Sequence, residues 1–97
     1  MEESIVREKF EVDFEKASGF VRKNSNIIKD EHKLKLYGLY KLSTHGECNT
    51  ERPSGMWVSY QKQIMWDSWK DVSEKSIKNP KQMYIDFLTS LLPNWGN

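Results

Sequence analysis

Apolar residues recur along this chain at helical spacing, and no stretch alternates as a strand does. From Glu8 to Lys23, Phe10, Phe14, Ala17 and Val21 follow one another at steps of four, three and four, laying one apolar stripe along a helix. Polar residues from Asn24 to Lys29 interrupt it around Ile27 and Ile28. Asp30 then offers a carboxylate as the N-cap of a second helix that reaches Thr44. The segment His45 to Gly55, HGECNTERPSG, holds two glycines, a proline and several side chains that bond their own backbone, and it reads as a long loop. A third helix is predicted over 57–72 from Val58, Met65, Trp69 and Val72, with Trp66 widening the apolar face. The polar segment Ser73 to Asn79 ends it. A fourth helix, predicted over 77–92, starts either with Ser76 as its cap or with Asn79 as cap and Pro80 at the first position. Within it Tyr84, Phe87, Leu88 and Leu91 repeat at i, i+3, i+4 and i+7, the strongest amphipathic signal in the chain, until Pro93 and Gly96.

Four amphipathic helices, none apolar all round, predict an all-α four-helix bundle with one long connection between the second and third. The 97 residues, 37% hydrophobic, suffice for one modest core, so residues 1–97 are expected to form a single domain. Lysine and arginine total 15 against 14 acidic residues, a net charge of +1, which gives no bulk pull toward nucleic acid or an anionic membrane. Any anion site must therefore be local. The lone Cys48 has no disulfide partner within the chain, and no Cys/His cluster has zinc spacing, so neither metal nor cofactor is expected and a reducing compartment is favoured. The opening MEESIVREKF lacks an apolar run, and no later stretch approaches the roughly 18 to 20 apolar residues that cross a bilayer. The expectation is a cytoplasmic monomer with no stable membrane insertion and a frayed end over Met1 to Glu8.

Candidate chemistry concentrates in the second helix. There Tyr37, Tyr40, Lys41 and Thr44 share one face while Leu36, Leu39 and Ser43 share another. Two phenols and an ammonium suit an aromatic, anionic ligand, because phenols stack and donate hydrogen bonds while lysine pairs with phosphate. The same tyrosines taken alone also fit half-buried packing, with Lys41 a solvated charge.

The wider stretch decides between these readings. Tyr37, Tyr40, Lys41, Thr44, Gly46, Asn49, Arg52 and Pro53, followed by the tryptophans of WDSW, closely resemble the acyl-CoA binding protein family, whose mark is YxxYKxxTxGxxNxxRP followed by KWDAW. The resemblance extends from about Phe14 to Tyr84. It implies a skewed, antiparallel four-helix bundle that holds the nucleotide head near the second and third helices and folds the acyl chain into an apolar groove. It implies further that Tyr37 and Lys41 meet the 3'-phosphate, that Tyr40 flanks the adenine and that Tyr84 completes the head-group pocket, with Arg22 at a commonly basic position. Phe14, Ala17 and Val21 would line the acyl groove. Where the family has a lysine before the first tryptophan, this chain has Met65, which would then face the acyl groove, and Lys62, one turn earlier, is the candidate substitute. Losing one charge-assisted phosphate contact costs about 1.5 to 3 kcal/mol, roughly ten- to a hundredfold in affinity, unless Lys62 replaces it.

The expected function is non-catalytic binding and transport, or pool buffering, of medium- to long-chain acyl-CoA, one ligand per protein. Trp66 and Trp69 are expected in the core, with Trp57 exposed at the rim. An enzyme would need Cys48, His32 or His45 in a nucleophile and base arrangement, and they lie in unrelated contexts. The alternative from another class is a helical protein-interaction module anchored by exposed Trp57 and Trp95. A third reading keeps the fold but turns the pocket to another phosphate-bearing lipid.

Overall fold

The structure, a computed structural model, describes the backbone of residues 2–97 and the side chains from Lys9 onward; Met1 lies outside the described residues. Among the described residues there are four α-helices and no strand. They are α1 (Glu2–Lys23), α2 (Asp30–His45), α3 (Tyr60–Ser73) and α4 (Pro80–Leu91), with a short 3-10 turn at Ser25–Ile27. The helix that was expected to begin at Glu8 thus begins at Glu2.

Local chemistry explains the boundaries. The N-cap of α2 is Lys29 in an extended conformation, and Asp30 is the first helical residue, so its carboxylate favours the positive helix end and caps no amide. The third helix starts later than its apolar spacing predicts because Ser59 is its cap, with the Oγ accepting from the Lys62 amide at 3.2 Å. Met56, Trp57 and Val58 therefore belong to the loop. For α4 the Asn79–Pro80 start holds, whereas Ser76 sits at φ 53°, a left-handed conformation that no helix start adopts.

The core comprises Phe14, Ala17, Ile28, Leu36, Leu39, Trp69, Val72, Tyr84 and Leu88, all buried. Phe10 departs from the predicted stripe and lies largely at the surface. Trp95 was expected to be exposed, but it tucks against Phe20, with ring centroids 6.0 Å apart, and its indole donates to Thr89 Oγ1 at 2.9 Å. It pins the end of α4 to α1. Trp57 is 94% exposed, as expected.

Pairings across the helices set their directions. Phe14 meets Tyr40 while Arg22 shares a cleft with Tyr37, so α1 and α2 are antiparallel. Glu11 pairs with Lys81 and Phe14 with Tyr84, which makes α1 and α4 parallel. Leu34 and Tyr37 face Ile64 and Met65, and Gly38 faces Ser68, so α2 and α3 run the same way. The antiparallel order of the expected bundle holds for α1 and α2, whereas α1 with α4 and α2 with α3 run the same way, and the connection over 46–59 carries the chain back along that last pair.

That connection is fastened to α3 by polar contacts. Trp69 Nε1 donates to the Gly46 carbonyl at 2.8 Å, the Cys48 amide to Ser73 Oγ at 2.8 Å and Trp66 Nε1 to Thr50 Oγ1 at 2.9 Å. Arg52 grips Asp67 with two hydrogen bonds, Nε to Oδ1 at 2.8 Å and Nη2 to Oδ2 at 3.0 Å. Gln63 Nε2 donates to the Pro53 carbonyl at 3.0 Å. Trp69 is thus in the core as expected, while Trp66 is only half-buried against the loop.

Candidate functional site

The two-faced character of α2 positions the site. Leu36 and Leu39 point into the core and are fully buried, which turns Tyr37 and Tyr40 along the adjoining flank of the helix toward the gap left by α1 and α4. Phe14 from α1 holds two of the rings in place. Its ring lies nearly parallel to that of Tyr40, 5.8 Å between centroids and 17° between planes, and the Tyr84 ring meets it edge-on at 5.3 Å and 72°.

A cleft of about 470 Å³ opens above these rings, lined by Ser18, Val21, Arg22, Ser25, Lys33, Leu36, Tyr37, Tyr40 and Tyr84. Beyond Tyr37 and Lys33 it adjoins a second cleft of about 380 Å³, whose walls include Leu34, Ile64 and Met65. Beyond Arg22 and Tyr40 it adjoins a third of about 650 Å³, where Phe14, Ser43 and Thr44 meet Glu11, Glu15 and Lys81. The shared residues join the three into one trough along α2, with aromatic and apolar walls in the middle and charged rims.

Burial raises two of its phenols. Burial pushes Tyr84 up to about 12, with the nearby Arg22 guanidinium drawing it down and Tyr40 adding to the rise. Tyr37 is raised as well, first by burial and then by the neighbouring Cys48. Both present hydroxyl donors at neutral pH beside a guanidinium, an arrangement chemically suited to an anion bearing an aromatic ring.

A family model described as Acyl CoA binding protein matches residues 11–88. The chain belongs to the acyl-CoA binding protein family. It is 40% identical over 87 residues to the acyl-CoA-binding protein of Ricinus communis, covering 90% of this chain and 90% of that protein. The crystal structure of Oryza sativa Acyl-CoA-Binding Protein 2 superposes with a TM-score of 0.74 at 34% identity, covering 88% of this chain and 92% of that one. Another rice relative, Acyl-CoA-binding domain-containing protein 4, is 28% identical over 97 residues, and this chain spans only 28% of its length. Membership supports acyl-CoA binding and a four-helix fold of the family type.

Within this family member, the central cleft brings together Arg22, Tyr37, Tyr40, Tyr84 and Val21 from the sequence-predicted set, with Phe14 and Met65 lining the flanking clefts. Ala17 is different: it is fully enclosed between helices and presents no surface to a ligand. Lys41 lines none of the three clefts, and its ammonium sits 4.7 Å from the centroid of the Trp69 ring. Lys62 also lies outside all three, exposed on the first turn of α3. Sequence reasoning passed over Lys33, Ser18 and Ser25, and the one-turn spacing of Lys33 before Tyr37 does not by itself separate a cleft residue from a solvated charge. Among the alternative chemistries, His32 packs edge-on to Phe87 at 5.7 Å, while His45 shares a 2.8 Å hydrogen bond with Thr44. Among the described residues no group of His, Cys, Asp and Glu is arranged to hold a metal ion, and no helix is long and apolar enough to cross a membrane.

Proposed function

We propose that this domain binds one medium- to long-chain fatty acyl-CoA without chemical change and serves its transport or the buffering of its pool. The observation that carries the reading is the trough itself, in which Arg22 and the phenols of Tyr37, Tyr40 and Tyr84 sit beside apolar walls. In this reading the adenine lies against Tyr40, the ribose phosphate meets Tyr37 and Arg22, and the acyl chain follows the apolar side past Met65. Lys41, one turn from Tyr37, leaves the Trp69 ring to add its charge. Each methylene of the tail removed from water contributes about 0.8 kcal/mol, so the tail supplies affinity and the polar cleft supplies orientation.

The test is calorimetric titration with palmitoyl-CoA, free CoA and free palmitate, with Lys41→Ala alongside. One-to-one submicromolar binding that requires both halves of the ligand and weakens in the variant supports the reading. A folded protein that binds none of the three ligands overturns it. One observation favours a second reading, as an interaction module: Met56, Trp57 and Tyr60 stand together at the surface before and at the start of α3, 90%, 94% and 74% exposed. That reading calls for a folded protein indifferent to palmitoyl-CoA.

A further inference from the structure

An acyl-CoA head carries phosphates at the ribose and at the pyrophosphate, and a cleft that receives it needs cations on more than one wall. Arg22 supplies one from α1. On the facing wall, Lys33 lines both the central cleft and the adjoining one, at the place where the two meet beside Tyr37. Across that junction Met65 contributes no charge, and Lys62 lies away from it. We infer, resting on the acyl-CoA reading, that Lys33 is a phosphate-binding residue of this site and holds the ligand at the point where the nucleotide head gives way to the acyl-bearing arm.

The present partner of Lys33 fits that role. Its Nζ lies 3.1 Å from Asp30 Oδ1, an i,i+3 pair whose acidic side chain is 96% exposed. Exposed pairs of this kind are weak. A phosphate entering the junction can therefore take Lys33 from Asp30, and Asp30 is a competitor of the ligand for it.

Palmitoyl-CoA titrations at two salt concentrations test this on the wild type, Lys33→Met, Lys33→Arg, Asp30→Asn and Lys62→Met, with a ligand-free thermal melt of each. The expected result is that Lys33→Met weakens binding about ten- to a hundredfold and flattens its salt dependence while melting like the wild type. Lys33→Arg retains most of the affinity. Asp30→Asn tightens binding by about two- to fivefold, because it removes the competitor. Wild-type affinity in Lys33→Met overturns the inference, as does a loss that appears in Lys62→Met instead. Weakening in Asp30→Asn also overturns it, since the pair would then be acting through local structure. Failure of the wild type itself to bind palmitoyl-CoA is a separate outcome, which overturns the acyl-CoA reading on which the inference stands.

Discussion

Tyr84 is the residue whose chemistry the fold alters most. Its phenol is raised from 10.0 to about 12, chiefly by burial. The folded protein therefore holds a proton that the unfolded chain releases, and the stabilisation is complete below pH 10 and lost as pH climbs toward 12. Across that window the urea midpoint is expected to fall more steeply for the wild type than for Tyr84→Phe, and parallel slopes would refute the assignment. The shared face of Tyr37 and Tyr40 was legible in the sequence from helical spacing, whereas Tyr84 entered the site only through the family resemblance. Lys33 was not legible, since a lysine one turn before a tyrosine looks the same whether it meets a ligand or only water. The seat of Lys41 over Trp69 was equally hidden, because it depends on how α3 lies against α2. For Ala17 the apolar stripe of a small bundle serves core and groove alike, and only its enclosure separates the two.

At the scale of elements, the tightest constraint is the approach of α2 to α3. A Cβ added at Gly38 would lie 2.6 Å from the Ser68 carbonyl oxygen and 2.9 Å from its carbon, and helix backbone cannot yield as a side chain does. Gly38→Ala gains about 1 kcal/mol of helix propensity against about 3 kcal/mol of overpacking, so a net loss of about 2 kcal/mol is expected by urea denaturation. Gly19→Ala on α1 meets nothing within 4 Å and is expected to stabilise by about 1 kcal/mol. Equal effects at the two positions would show that close approach is not what selects glycine at 38. The loop clasp gives a different expectation. Arg52 and Asp67 are exposed, so Arg52→Ala should leave the melting temperature nearly unchanged while speeding proteolysis within 46–59, which mass spectrometry of the fragments would locate. Helix existence was legible from periodicity, but the start of α3 was not, because Trp57 and Val58 continue its apolar pattern by chance while Ser59 alone marks the cap.

For the whole molecule, an apolar stripe says which side of a helix is buried and nothing about which way the neighbouring helix points. The parallel run of α2 and α3 was for that reason beyond the sequence, although the long loop that permits it was plain. Direction matters to the site, because the trough takes walls from all four helices: Arg22 from α1, Tyr37 and Tyr40 from α2, Met65 from α3 and Tyr84 from α4. A ligand seated there joins the elements it touches and binds only the folded arrangement, so it must stabilise the fold by mass action. At a free concentration a hundred times its dissociation constant the gain is about 2.7 kcal/mol. For a domain of 97 residues each kcal/mol moves the midpoint by about 4 to 8 °C, so palmitoyl-CoA at that excess is expected to raise the melting temperature by about 10 to 20 °C. Free CoA at the same concentration lacks the tail and should move it far less. Differential scanning calorimetry with both ligands measures the contrast directly. Equal shifts from the two would mean that only the polar cleft is engaged, and the apolar walls past Met65 would then be packing surface alone.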